Sequence, residues 1–443
     1  MNLRFLPALI GLGLYAPSAM AQTVSLSDVV QRAIATSPSV ASAKAAYDLD
    51  AAQVQEARSA FLPQLSISGN ALQLEGSSVA VFGIPSNGPQ SGFGGVAGMN
   101  FAKAGEPMFL ASATVTQPLF AGFRNVNNFQ AASRQAEAAS LDLERARRKA
   151  AFDALDALGV WQQKQASVQA LEAGLSKATT RLDWVSARAK AGASGTLDLL
   201  QSQVQVARFH AQLAEARRDA ALAEGVLRER LGGELSGVEG LKVDWSFPRL
   251  SEEEAVTIAL TERLDLKAQT LLEEASNAQA KAAHAGYLPT VNAFGTTSQL
   301  GDNSNFRGAI LGLQASWIPF DGLRTQAGID KANAMAAKRQ ADRTALDRSV
   351  AQEVKEAYAA WQAAVSQQDL RKRELAVAEE AKRLAERTRS EGAITLTAFT
   401  DAEMDRLQAS QDLESARLAL RRSELKLVQA LGWSPERLIR QEK

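Results

Sequence analysis

Pro118-Leu119-Phe120-Ala121-Gly122-Phe123-Arg124 returns 200 residues later as Ile318-Pro319-Phe320-Asp321-Gly322-Leu323-Arg324. In both places a proline and a glycine separate a run of alternating residues from a long stretch without proline. That punctuation predicts a strand turning into a helix. Two more landmarks repeat. Phe61-Leu62-Pro63 recurs as Tyr287-Leu288-Pro289, 226 positions on, and Gly192 with a stretch ending Leu231-Gly232 recurs as Gly392 with a stretch ending Leu431-Gly432, 200 positions on. Self-similarity at a fixed offset marks a duplicated supersecondary unit. The offset shrinks between Pro63 and Pro118, so the first copy carries an insertion there. Residues 76–105, rich in Gly, Ser, Asn and Pro, supply it and read as a loop. Its glycines fit no phosphate-binding pattern.

Working outward from these turns, each copy reads helix, strand, loop, strand, long helix, turn, helix. Four strands are expected near 65–74, 109–117, 291–299 and 309–318. Phe109, Ala111, Ala113 and Val115 alternate with Ser112, Thr114 and Thr116, and Leu311, Leu313, Ala315 and Trp317 alternate with Gly312, Gln314 and Ser316. Alternation over ~9–11 residues suits a membrane β-strand with one face to lipid and one to a polar lumen. The stretches 125–190 and 324–391 contain no proline and few glycines (Gly159 and Gly174, then Gly328). Roughly 65 helical residues span about 100 Å, too long for a small globule and suited to a coiled coil or helical tube.

Composition agrees. The 443 residues carry 49 basic and 49 acidic side chains, which leaves no electrostatic footprint for nucleic acid. Alanine abounds and favours closely packed helices. There is no cysteine, hence no disulfide and no lipid anchor on cysteine. Residues 1–21 read as a secretory signal peptide: Arg4, an apolar run from Phe5 to Ala16, then Ala19-Met20-Ala21. Beyond it no uncharged apolar stretch approaches the ~20 residues of a membrane helix, so membrane contact would be through a β-barrel. The expected organisation is signal peptide 1–21, first repeat 22–233 with a hairpin at about 64–118, linker 234–249, second repeat 250–433 with a hairpin at about 290–319, and tail 434–443. Ser251 with Glu254 is a capping box, and Ser25 with Asp28 a looser one.

Four strands cannot close a barrel, and an open edge in lipid leaves backbone groups unpaired at several kcal/mol each. Three chains would supply about twelve strands, within the range of such barrels. The expected fold is therefore mainly α with a small β part: a long α-helical barrel continued by a transmembrane β-barrel, internally duplicated and built by a trimer.

The order Phe-Leu-Pro, strand pair, Pro-Leu-Phe-x-Gly-x-Arg, long helix, glycine turn and helix, given twice after a signal peptide, resembles the TolC family of outer-membrane efflux and secretion ducts. The resemblance spans the mature chain. It implies a homotrimer in outer-membrane lipid with a helical tunnel across the periplasm. It also implies docking on a periplasmic adaptor (membrane fusion) protein and an inner-membrane pump of RND or ABC type, as a passive duct in tripartite efflux or type I secretion. No cofactor, metal or catalytic residue is expected: His210 and His284 lie far apart in alanine-rich helix without acidic or cysteine partners. The basic cluster Arg145–Lys149 reads as a solvated face. The competing reading is a soluble periplasmic coiled-coil adaptor or scaffold, which would not need lipid-length strands.

Function is expected at the tunnel tips, Gly192-Ala193-Ser194-Gly195-Thr196-Leu197-Asp198 and Gly392-Ala393-Ile394-Thr395-Leu396-Thr397-Ala398. Glycine permits the reversal, and Thr196 or Thr395 is expected to cap the returning helix. Gly192, Gly195, Thr196, Leu197, Gly392, Thr395 and Leu396 would face the adaptor. The resemblance implies paired acids after the second tip. Asp401 matches one; Ala398 stands at the other, with Asp405 one turn on as a replacement. Asp198 matches an acid at the first tip. Uncharged Ala393, Ile394 and Thr395 put the family's tip salt bridge in doubt. Pro63, Pro118, Gly122, Arg124, Pro289, Pro319, Gly322 and Arg324 would form the junction between barrel and tunnel.

Overall fold

The computed structural model describes residues 26–73, 107–191, 195–233, 250–301, 306–390, 396–435 and 437. The expected signal segment, Ser25, the loop at 76–105, the linker 234–249, Gly192, Gly392, Thr395 and most of the tail lie outside them. The first copy comprises α1 (Leu26–Thr36), α2 (Pro38–Ser59), β1 (Gln64–Gln73), β2 (Pro107–Ala121), α3 (Arg124–Lys190) and α4 (Thr196–Leu231). The second repeats that order as α5 (Glu252–Glu262), α6 (Leu264–His284), a 3₁₀ turn at Ala285–Tyr287, β3 (Thr290–Gly301), β4 (Phe306–Ser316), α7 (Arg324–Ser390) and α8 (Leu396–Ala430).

Local chemistry sets the breaks. Pro38 cannot continue α1, so Ser37 is extended and α2 starts afresh. The second copy has no proline there. Arg263 takes the same extended backbone, and its guanidinium donates to the Asp265 carboxylate at 2.6 and 3.0 Å. The capping box at Ser251 forms as expected, with the Ser251 amide donating to Glu254 Oε2 at 2.8 Å and Ser251 Oγ accepting from the Glu254 amide at 3.3 Å. Helices α4 and α8 stop at Gly232 and Gly432, whose φ values of 68° and 75° are left-handed. A Cβ on Gly432 would meet Arg263 Cα at 2.9 Å.

Helix α3 pairs with α4 and α7 with α8 as long hairpins, and α3 packs also against α2, α6 and α8. Alanine permits the close approach. The main core joins Val29 and Val30 of α1 to Ala151, Leu155, Leu158 and Trp161 of α3, Leu227 of α4 and Val428 of α8. A second core gathers Ala255, Ala259, Val350, Val354, Tyr358 and Leu427. The basic cluster differs from expectation at one residue. Arg145 and Arg147 pair with neighbouring acids, but Arg148 Nη1 donates to the Gly432 carbonyl at 2.7 Å. It satisfies a carbonyl that the end of α8 leaves without an intrahelical partner.

The four strands form one antiparallel sheet in sequence order. Gln64 pairs with Thr116, Phe109 with Gly301 and Thr290 with Ser316. One face carries a hydroxyl ladder, Ser68 Oγ to Ser112 Oγ at 2.7 Å and Thr114 Oγ1 to Thr296 Oγ1 at 3.0 Å. The other exposes Leu65, Ile67, Val115, Leu311 and Leu313. Exposed apolar residues opposite a polar ladder suit lipid outside and water inside. Two strand ends depart from the sequence reading. Strand β2 runs past Pro118 to Ala121, through an irregularity that keeps it paired with β3, whereas β4 stops at Ser316, short of 318.

Candidate functional site

The tunnel tips bring together the C-terminal turns of α3 and α7 and the first turns of α4 and α8. Gly195 is the extended N-cap of α4 (φ −73°, ψ 150°), and Thr196 is the first helical residue. The expected cap by Thr196 does not form: no side chain caps this helix, because the glycine occupies the position from which a hydroxyl would reach back. Leu396 opens α8, while Gly392, Thr395 and the side chain of Leu396 lie outside the described residues. Leu197, Leu200 and Val204 of α4 leave an apolar stripe in solvent.

The three acids do not form one cluster within a chain. Asp401 and Asp405 are both exposed on one face of α8. Asp198, in the first turn of α4, contributes instead to the field around Arg181 of α3. Burial lowers the Arg181 pKa, the neighbouring Arg389 lowers it further, and Glu403 and Asp198 partly offset both. Arg181 Nη1 lies 4.0 Å from Glu403 Oε2, with only 14% of the arginine side chain exposed. Its guanidinium stacks over Phe399 at 4.9 Å from the ring centroid. Arg389 of α7 covers Phe399 at 4.7 Å and Trp184 of α3 at 5.5 Å, and Arg188 covers Trp184 at 4.7 Å. A desolvated cation over an aromatic face is worth on the order of 1–2 kcal/mol.

This arginine–aromatic knot ties the end of α3 to the ends of α7 and α8. Sequence reasoning missed it, although Arg181, Trp184 and Arg188 recur at helical spacing on one face. An ion pair near the tips joins Arg181 to Glu403, while residues 391–395 of the second turn lie outside the described residues. Beneath the knot a groove of about 570 Å³ runs between α3, α4 and α8. Asp401, Glu403, Lys177, Arg181, Arg208 and Phe209 line it, and Asp405 does not. Gly174 makes room for Phe209, since a Cβ there would meet its ring at 2.6 Å.

At the opposite end of the long helices, Gly122 and Phe123 take successive left-handed conformations (φ 62° and 64°), as do Gly322 and Leu323 (φ 72° and 68°). These reversals turn the strands into α3 and α7, which begin at Arg124 and Arg324. Residues 117 and 317 play the same part in the two copies. Gln117 Nε2 donates to the Phe61 carbonyl at 2.9 Å and Trp317 Nε1 to the Tyr287 carbonyl at 3.1 Å. They hold the turns against the chain beside Pro63 and Pro289. Asp321 accepts from the Thr325 amide and hydroxyl at 2.9 and 2.7 Å, a cap that Ala121 cannot provide in the first copy.

The family model for outer membrane efflux proteins matches residues 29–233 and 255–433, both copies almost entire. The chain belongs to the outer membrane efflux protein family. It is 26% identical to the outer membrane protein TolC of Escherichia coli over 453 aligned positions, which cover 97% of this chain and 86% of TolC. Its fold matches that of the outer membrane protein VceC of Vibrio cholerae with a TM-score of 0.73 at 17% identity, over 92% of this chain and 96% of VceC. The Campylobacter jejuni outer membrane channel CmeC matches with a TM-score of 0.72 at 16% identity, over 98% and 94% of the two chains. Membership makes the protein an outer-membrane efflux channel with a large periplasmic portion. The relatives are channels, and nothing in them favours a soluble adaptor. No helix among the described residues is long and apolar enough to cross a membrane.

Proposed function

We propose that the protein is a homotrimeric, cofactor-free exit duct that performs no catalysis. An inner-membrane pump of RND or ABC type and a periplasmic adaptor deliver cargo to its helical end. The observation that carries this reading is the four-stranded sheet, with a hydroxyl ladder on one face and exposed apolar residues on the other, whose outer edges on β1 and β4 have no strand partner among the described residues. In lipid those edges are tolerable only if sister chains pair with them. Six tip hairpins, two per chain, would then receive an adaptor arranged around six positions.

Asp401 and Asp405, exposed on α8 near its start, are the proposed aperture acids, with Asp198 on the neighbouring helix. Carboxylates repeated around an axis attract cations and repel one another. The purified trimer in planar bilayers is expected to conduct with cation preference and to be blocked by divalent ions. Asp401→Ala should weaken both effects. A trimer that never conducts would overturn the duct, whereas unchanged selectivity and block in Asp401→Ala would remove only the acid ring.

A further inference from the structure

Near the tips, helices α3, α4 and α8 carry charges that their duplicates lack. Under the 200-residue offset of the repeat, Lys177, Arg208 and Arg406 correspond to Val377, Gln408 and Val206, and Phe209 corresponds to Ala409. Common ancestry of the two copies therefore does not account for these side chains. The fold nevertheless brings them to one place. They line the groove of about 570 Å³ beneath the arginine–aromatic knot, Lys177 and Arg208 from the first copy and Arg406 from the second. That volume falls within the roughly 300–1,000 Å³ of small-molecule sites.

The charges of the groove do not balance from within. Glu403 lies against Arg181 at 4.0 Å, which leaves Asp401 as the other acid among the lining residues. Lys177, Arg208 and Arg406 form no ion pair among the described residues. Elsewhere on the long helices Arg134, Arg217, Arg228, Arg371 and Arg383 each sit against a carboxylate. Arg406 stands out further, because its Nε is buried with no hydrogen-bond partner. A guanidinium drawn into such a setting without an anion is unfavourable, and an anion in the groove would offset the cost.

The rest of the lining is apolar. Leu197, Leu200 and Val204 of α4 stand 66%, 54% and 51% exposed along one wall. Phe209 is buried beside them, with Met404 and Leu407 of α8 packed against its cluster. Cations next to uncovered apolar surface suit a ligand that has both an acid group and a hydrocarbon body.

We propose that this groove binds a small organic anion. Its carboxylate or sulfonate sits among Lys177, Arg208 and Arg406, and its apolar body lies on Leu197, Leu200 and Val204. Because the cations come from both copies, the bound anion bridges α8 to the α3–α4 hairpin. The site is built within one chain, so it does not rest on the trimeric reading above.

Naphthalene-2-sulfonate is a suitable probe. Titrated by calorimetry into the full-length protein in nonionic detergent, against an empty-micelle blank, it is expected to bind saturably at one site per chain. Arg406→Gln and Arg208→Gln should each weaken binding about tenfold, the loss of one charge-assisted hydrogen bond. Arg406→Lys should recover part of the loss, and Asp401→Asn should strengthen binding by removing a repelling carboxylate. Arg208 is exposed, so its variant keeps the test open should Arg406→Gln fail to fold. The oppositely charged 2-naphthylmethylammonium should not saturate, and inorganic sulfate should compete at least tenfold more weakly than the probe binds. Absence of saturable sulfonate binding, or equal binding in both glutamine variants, overturns the site. Equal binding of the ammonium compound overturns the role of the cations. Sulfate binding as tightly as the sulfonate overturns the apolar half and leaves an inorganic-anion site.

Discussion

Helices α3 and α7 have the same length, 67 residues, and follow the same turn, yet they live in different surroundings. Seventeen residues of α3 are buried, because α2, α4, α6 and α8 pack around it. On α7 burial among the described residues is confined to Ile329, Val350, Val354, Tyr358 and Ala385. Leu370, Val377 and Leu384, seven residues apart, stand 50%, 70% and 51% exposed. Heptad-spaced apolar residues in solvent form an unpaired coiled-coil seam. One helix has its neighbours within the chain, and its twin lacks the counterpart of the α3–α6 packing. The difference teaches that a chain built of two similar halves completes only one of its two inter-copy seams.

The largest expected effect separates these helices. Leu158→Ala in α3 should lower the stability of the chain itself by about 2–5 kcal/mol, since a fully buried leucine leaves a cavity behind. Val377→Asp in α7 should leave helix content by circular dichroism intact and instead reduce the trimer fraction measured by light scattering. Equal loss of chain stability from both variants would abolish the contrast.

The junction glycines sharpen it at smaller scale. Gly322→Ala strains a left-handed residue, at about 1–2 kcal/mol. Gly122→Ala adds a collision with Leu288 and Ala285 and should destabilise the isolated chain by roughly 1–3 kcal/mol more. Thermal melts in dissociating detergent would show the gap. A smaller effect involves the bend that Pro38 makes in one copy and Arg263 in the other. Partial burial pushes the Asp265 carboxyl up, but hydrogen bonds and charge from Arg263 outweigh it and hold it below its ordinary value of 3.8. A carboxyl depressed in the folded state contributes stability at neutral pH and loses it as pH falls through that depressed value. Asp265→Asn should flatten the acid side of the stability profile, with no comparable change on replacing exposed Glu380.

Part of the architecture was legible because it depends on short-range rules. Alternation at residues 109–117 and 309–318 marked strands, and unbroken helix formers after Arg124 and Arg324 marked long helices. Ser251 and Glu254 announced a helix start three residues apart. The tips were less legible. Arg181, Glu403, Phe399 and Arg389 meet across three helices, and no local spacing records that meeting, so Asp401 and Asp405 drew the attention. Arg148 looked like part of a solvated run, because the carbonyl that it serves, at Gly432, lies 284 positions away.

By itself, then, the sequence determined the repeat, the main element types and the alternation along β2 and β4, because these follow from turn residues and periodicity within a few positions. Only the tertiary structure decided the register between strands, the partners of Arg181 and Arg148, and which edges and helix faces remain open. Those depend on packing between segments hundreds of residues apart, where a side chain's burial is set by what the chain brings to it.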